Sequence, residues 1–393
     1  MSYLKKVLFC LAIVLCLLLS SVAPSSDAPT GDNPAHAGVP NTNAGPLGSH
    51  VVRGVNYAHI HRNGRGYGSE ASQHELANLR GLGIDWIALN PFGYQHSADQ
   101  NHISGYDPDR PLSDFTKPLD LMDQDETATG RDRSMTDRHL AEQIAAAHKL
   151  GVKVMIKPHI WSRDFWNGDA WHGTIQQNTP EDHEAWRKSY LRFILHHARL
   201  AQQTQAEALC LGTELISQTA NHHDDWRPLI REVRKIYDGK LTYAAHWDTE
   251  FNSIRFWDEL DAIGISAYFP LDAPDDATVD QLVSAWQPHK QKIRAAHTLY
   301  SKPVVFLEVG YRPATGSYRA PWLDKGGEHD PMIQARAFEA LFKTYADESW
   351  WRGVFIWKVF TDVRRSDHHN RGPGFSFRNQ PAEAVIQQWF RQP

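Results

Sequence analysis

The chain has 393 residues, 41% of them hydrophobic and 22% charged, with a formal net charge of -5. Lys and Arg are scattered along it, which excludes the electrostatic footprint of a nucleic-acid or anionic-membrane binder and points to an uncharged partner. Aromatics are the excess: 14 Trp and 13 Tyr offer flat faces and polar tips suited to sugar rings, although most such residues pack helices onto sheets.

In chain order the first element is a leader. Two lysines at positions 5 and 6 precede an apolar run from Val7 to Leu19, and small residues with prolines follow, the order of a cleavable secretory signal. The run is too short for a membrane span, and Cys16 follows Leu15, so no lipidation box is present. Residues 1–23 are therefore expected to be a signal peptide and the product secreted or periplasmic. Residues 24–49, dominated by Pro, Ala, Gly, Ser, Asn and Asp, cannot bury enough surface to order themselves and are expected to be a disordered linker. Cys210 is the one cysteine of three outside the leader; it sits in an apolar strand pattern and is expected to be a buried, inert thiol.

From residue 50 onward short apolar runs recur: Val51–Tyr57, Ile84–Asn90, Val152–Ile156, Ala208–Gly212, Leu241–Ala245, Ala262–Ala267, Val304–Leu307 and Val354–Trp357. Between them lie helix-type segments such as Thr136–Leu150, closed by Gly151, and Glu181–Ala201. Near-continuous apolar strands alternating with helices imply a parallel sheet covered by helices. The first strand is followed by Asn56-Tyr57-Ala58-His59, with none of the glycines of a phosphate-binding turn. The fold class is thus α/β, a single (β/α)8 TIM barrel over residues 50–393, expected to act as a monomer. In that fold the chemistry lies at the C-terminal ends of the strands.

Those ends read Asn56-Tyr57, Asn90-Pro91, Lys157 to Trp161, Gly212-Thr213-Glu214, His246-Trp247, Ser266-Ala267-Tyr268, Glu308 and Trp357-Lys358. A carboxylate directly after an apolar strand is costly to bury for packing alone. Glu214 closes the fourth strand and Glu308 the seventh, on opposing walls of a barrel of eight. A facing pair of carboxyls is what glycoside hydrolysis by double displacement requires.

At these positions the sequence resembles the retaining glycosidases of clan A, and more closely glycoside hydrolase family 113, best known for β-mannanases. The stretches that carry the resemblance are Ile156-Lys-Pro-His-Ile-Trp161, Leu211-Gly-Thr-Glu-Leu215, Leu241 to Trp247, Ile263 to Leu271, Val304 to Tyr311, Gly353 to Lys358 and Phe375 to Ala382. The resemblance implies Glu214 as acid/base, Glu308 as nucleophile, Tyr268 as a hydroxyl orienting the nucleophile and Trp357 as the floor under the sugar. The substrate it implies is a β-1,4-linked mannose polymer or oligomer. Two positions depart from the expected pattern: Thr213 stands where many clan members carry asparagine, and His246 where the family's asparagine was expected. The remaining substrate contacts are expected from Asn90, His159 and Trp161, with Trp322 on a rim spanning Thr315–Asp330 and a second rim at Phe92–Arg133.

Other readings were weighed against this one. A retaining enzyme acting on glucan, xylan or galactan shares the same carboxylate pair. A non-catalytic carbohydrate-binding barrel would have replaced one of the two. Histidines occur in pairs at His196-His197, His222-His223 and His368-His369, but no His-Glu-x-x-His or Cys-x-x-Cys pattern is present. Neither a catalytic metal nor a cofactor is therefore expected.

Overall fold

The computed structural model describes residues 47, 51–61, 64–105, 135–168, 170–363 and 374–391. The expected leader, all of the expected linker except Leu47, and the rim from 106 to 133 lie outside these residues. Leu47 is buried, its N–H donating to the Trp389 carbonyl and its carbonyl accepting from the Arg53 guanidinium. Packing of the folded domain thus reaches back into the stretch read as linker.

Eight parallel strands close a barrel: β1 (Val52–Ala58), β2 (Trp86–Leu89), β4 (Lys153–Ile156), β6 (Ala208–Thr213), β7 (Lys240–His246), β8 (Ile263–Ser266), β9 (Val304–Val309) and β10 (Trp351–Phe360), the last returning to pair with β1. All eight coincide with apolar runs picked out in the sequence. Alternate side chains from successive strands, among them Ala88, Met155, Cys210, Ala244, Leu307 and Phe355, fill the barrel interior. The opposite faces of the strands join the larger core beneath the helices. Gly353, the third residue of β10, has φ at 112° and pairs with Val52, whose carbonyl oxygen a Cβ would meet at 2.1 Å, so that only glycine lets the closing strand approach β1.

A second, two-stranded parallel sheet, β3 (Phe92–Gln95) with β5 (His159–Ser162), was not anticipated. Pro91 and Pro158 explain it. Each follows a barrel strand and lacks the N–H that would continue the ladder, so the chain leaves the barrel and re-pairs above the mouth. Helices between the strands start on conventional caps, for example Thr136 accepting from the His139 N–H and Thr179 accepting from the Asp182 N–H.

Irregular register falls on the strands that matter for the mouth. Between Ile265–Phe306 and Ser266–Glu308 the partner strand skips Leu307. In β6 an extra residue lies between Cys210 and Thr213. In β10 an extra residue lies between Ile356 and Val359. Each bulge breaks the strict alternation of faces and re-aims the side chains that follow.

Candidate active site

The bulge at Leu307 places both Leu307 and Glu308 on the interior side. Glu308 is 6% exposed, and one carboxylate oxygen accepts from the Tyr268 hydroxyl at 2.9 Å while the other accepts from the Lys157 ammonium. Lys157 is fully buried and also donates to Asn56 Oδ1 at 3.1 Å. Asn56 is in turn fixed by its own donation to the Leu307 carbonyl at 2.9 Å. Tyr268 is held protonated, and so able to donate, because burial and then the charge of Glu308 push its hydroxyl far above the ordinary phenol range.

Glu214 follows β6 with φ at 52°, in the left-handed region. Its N–H donates to the Ala244 carbonyl at 2.8 Å, and the next N–H, of Leu215, donates to the Tyr243 hydroxyl at 2.7 Å. Its carboxyl is raised well above the usual carboxylate range. Burial is the largest cause, followed by the charges of Glu308 and Glu250, with Lys157 acting in the opposite direction. One carboxyl that keeps its proton therefore lies within the electrostatic influence of a second that is paired with an ammonium and a hydroxyl. Unequal environments of this kind are what the acid and the nucleophile expected from the sequence would require.

The other expected contacts fall around this pair. Asn90 is buried, with its amide nitrogen 3.1 Å from His159 Nε2 and 3.4 Å from Asn56 Oδ1. His159 is kept neutral, its pKa driven well down by burial and then by Lys157, and its ring lies over that of Trp357 at 6.3 Å. Trp357, joined to Lys358 by a cis peptide, carries Lys358 Nζ at 4.7 Å and Lys157 Nζ at 5.3 Å from its ring centre. Trp161 stands on β5, half-buried and edge-on to Phe92. The Thr213 hydroxyl, directly before Glu214, is buried without a partner among the described residues. His246 is half-buried, its ring 5.2 Å from that of Trp171. Trp322 is 46% exposed and stacks on Trp247 at 5.3 Å and 16°, forming an aromatic rim beside His246.

Four contributors escaped the sequence reading. Lys157 lies in the stretch Ile156–Trp161, where nothing in the sequence signals its carboxylate partner. His172 is half-buried, its pKa held down to about 4 mainly by desolvation of its ring, and it feels both Glu308 and Lys157. Trp171 is 39% exposed beside His246.

The fourth is Glu250, which is 1% exposed. One of its oxygens accepts from Tyr243 and from Thr219, each at 2.7 Å, and the other accepts from the His246 N–H at 2.7 Å. Through Tyr243 it supports the backbone just after Glu214. Burial pushes Glu250 itself up to about 7, and its charge raises Glu214. As the acid expected from the sequence, Glu214 has to carry its proton, so activity should fall as pH rises through its pKa, and Glu250→Gln should move that alkaline limb to lower pH. A pH profile of kcat/KM checks this; an unmoved limb would show that Glu250 has no electrostatic hold on Glu214.

Among known proteins, the sequence matches Glycoside Hydrolase Family 113 over residues 119–380. No curated protein matches it. The GH113 β-mannanase of Alicyclobacillus acidocaldarius, solved in complex with ManMIm, is similar at a TM-score of 0.70 and 25% identity, with 88% of this chain and 98% of that one covered. A complex structure of a GH113 β-1,4-mannanase is similar at 0.70 and 23% identity, covering 87% and 99%. The endo-1,4-β-D-mannanase of Thermotoga petrophila shares the fold at 0.54 and 14% identity, covering 86% and 99%. With more than half of its length matched to the family and the barrel shared with these enzymes, the chain belongs to Glycoside Hydrolase Family 113.

Proposed function

We propose that this glycoside hydrolase cleaves β-1,4-linked mannose chains with retention of configuration. Glu214 protonates the leaving oxygen and later activates water, and Glu308 attacks the anomeric carbon. The observation that carries the reading is the unequal environment of the two carboxyls. Burial and two neighbouring carboxylates keep the proton on Glu214, whereas Lys157 and Tyr268 hold Glu308 with its lone pairs available. Tyr268 and Lys157 thereby orient the nucleophile before substrate arrives.

Mannose differs from glucose in its axial 2-hydroxyl, and a polar site rejects the wrong epimer strongly only when its own groups would be left unpaired. The Thr213 hydroxyl and the Asn90 side-chain oxygen Oδ1 are buried and have no partner among the described residues, which leaves both available to bond a sugar hydroxyl. The Trp247–Trp322 stack offers a flat face for a further sugar unit. Support for mannose comes from the family match and from the mannanases sharing the fold. The leader expected at residues 1–23 would deliver the enzyme to the compartment where such polymers are met.

Two measurements test the proposal. Proton NMR of the first product should show the β anomer; an initial α product would overturn retention. The kcat/KM on mannotetraose should exceed that on cellotetraose or xylotetraose; equality or reversal would remove mannose and leave the glycoside hydrolase.

A further inference from the structure

One histidine pair noted in the sequence is left without a role by the barrel mouth. His222 caps the short helix Ile216–Asn221, and Asp225 ends the turn His223–Asp225 that follows. Both meet His183, in the first turns of the helix Pro180–Thr204. One nitrogen from each imidazole and one oxygen of Asp225 lie within 4.8 Å of one another. His183 Nε2 is 2.8 Å from Asp225 Oδ2. The two imidazole rings face each other at 3.4 Å and 14°. His183 Nδ1 is buried and has no partner among the described residues.

We propose that His183, His222 and Asp225 form a binding site for a divalent cation of the zinc type, with water completing its coordination. Zinc bonds to imidazole nitrogen and carboxylate oxygen at about 2.0–2.2 Å, so its tetrahedral ligands stand roughly 3.3 Å apart, a spacing within reach of these three donors. Two imidazoles against one carboxylate select zinc over calcium or magnesium, which favour all-oxygen shells. The neighbouring cation Arg187 is already engaged by Glu184 and leaves the Asp225 carboxylate to the ion. None of the three ligands is bonded to Glu214 or Glu308.

The site is therefore a staple and not part of the chemistry. Only Leu215 and the helix Ile216–Asn221 separate Glu214 from His222. The ion ties the segment directly after the acid/base to the start of the long helix Pro180–Thr204, and the energy of binding adds to the stability of the folded state.

The test uses full-length protein stripped with EDTA and dialysed. Titration calorimetry with zinc chloride should show a binding event that His222→Ala and Asp225→Asn each weaken by about 10-fold or more. Zinc should raise Tm in the wild type but not in His222→Ala, and calcium or magnesium should do neither. Hydrolysis at moderate temperature should survive stripping. Zinc binding that persists unchanged in both variants, or a Tm that zinc does not move, would overturn the site. Activity lost on stripping and restored by zinc would overturn its purely structural role. The outcome is independent of which glycan the enzyme cleaves.

Discussion

Glu308→Ala should lower hydrolysis of mannotetraose by roughly 10⁴-fold or more, because the proposed mechanism loses the group that forms its covalent bond. The substitution empties a pocket beside the buried Lys157 ammonium, which then keeps only Asn56 Oδ1 as a hydrogen-bond partner. Breaking a buried pair this way costs about 3–5 kcal/mol, so the variant should also melt at a lower temperature. Azide is small, anionic and nucleophilic, and it suits both the space and the charge. Added azide should restore turnover of an activated aryl β-mannoside and yield the α-mannosyl azide, since it attacks from the face that Glu308 occupied. Recovery without azide, or a β-azide product, would show that Glu308 is not the nucleophile.

Glu214→Ala should behave differently in a way that separates the two roles. On mannotetraose the loss should be about 10²–10⁴-fold, the usual contribution of a general acid. An aryl mannoside with a good leaving group needs no proton, so its first step should be largely spared. The covalent intermediate then lacks a base to activate water and accumulates. Azide should capture it from the opposite face and give the β-mannosyl azide. Equal losses on both substrates and no azide product would move the acid/base role away from Glu214. The raised pKa of Glu214, caused first by burial and then by Glu308 and Glu250, places the lost proton on the alkaline limb, which should disappear in this variant.

The barrel was legible because its signal is redundant. Eight apolar runs separated by capped helices leave few arrangements, and all eight lie in the closed sheet. The placement of Glu214 and Glu308 at the ends of the fourth and seventh barrel strands was legible for the same reason. What aims them was not. A two-residue period read through Val305 and Leu307 turns Glu308 away from the interior, and it is the skipped register at Leu307 that turns it back. No residue type announces such a bulge. Glu250 was hidden for another reason. It follows His246-Trp247-Asp248-Thr249 in an ordinary polar stretch, and its burial comes from Tyr243, Thr219 and the His246 backbone converging on it in space. Lys157 shows a third case: the motif containing it was quoted, but only the fold brings its ammonium to a carboxylate 151 positions away. The small sheet of β3 and β5 could have been foreseen from Pro91 and Pro158, whose missing donors mark where barrel pairing must stop.

The left-handed backbone at Glu214 sets function against durability at a single position. A side-chain-bearing residue there costs about 1–2 kcal/mol relative to an ordinary conformation, and glycine escapes most of that cost. The surrounding bonds, from Glu214 N–H to Ala244 and from Leu215 N–H to Tyr243, persist whatever side chain the position carries. An inactive Glu214→Gly chain should therefore melt above Glu214→Ala, inverting the usual ranking of alanine over glycine. Selection for heat resistance alone would draw this position toward glycine, whereas the proposed mechanism, which needs a proton donor there, would keep glutamate in place.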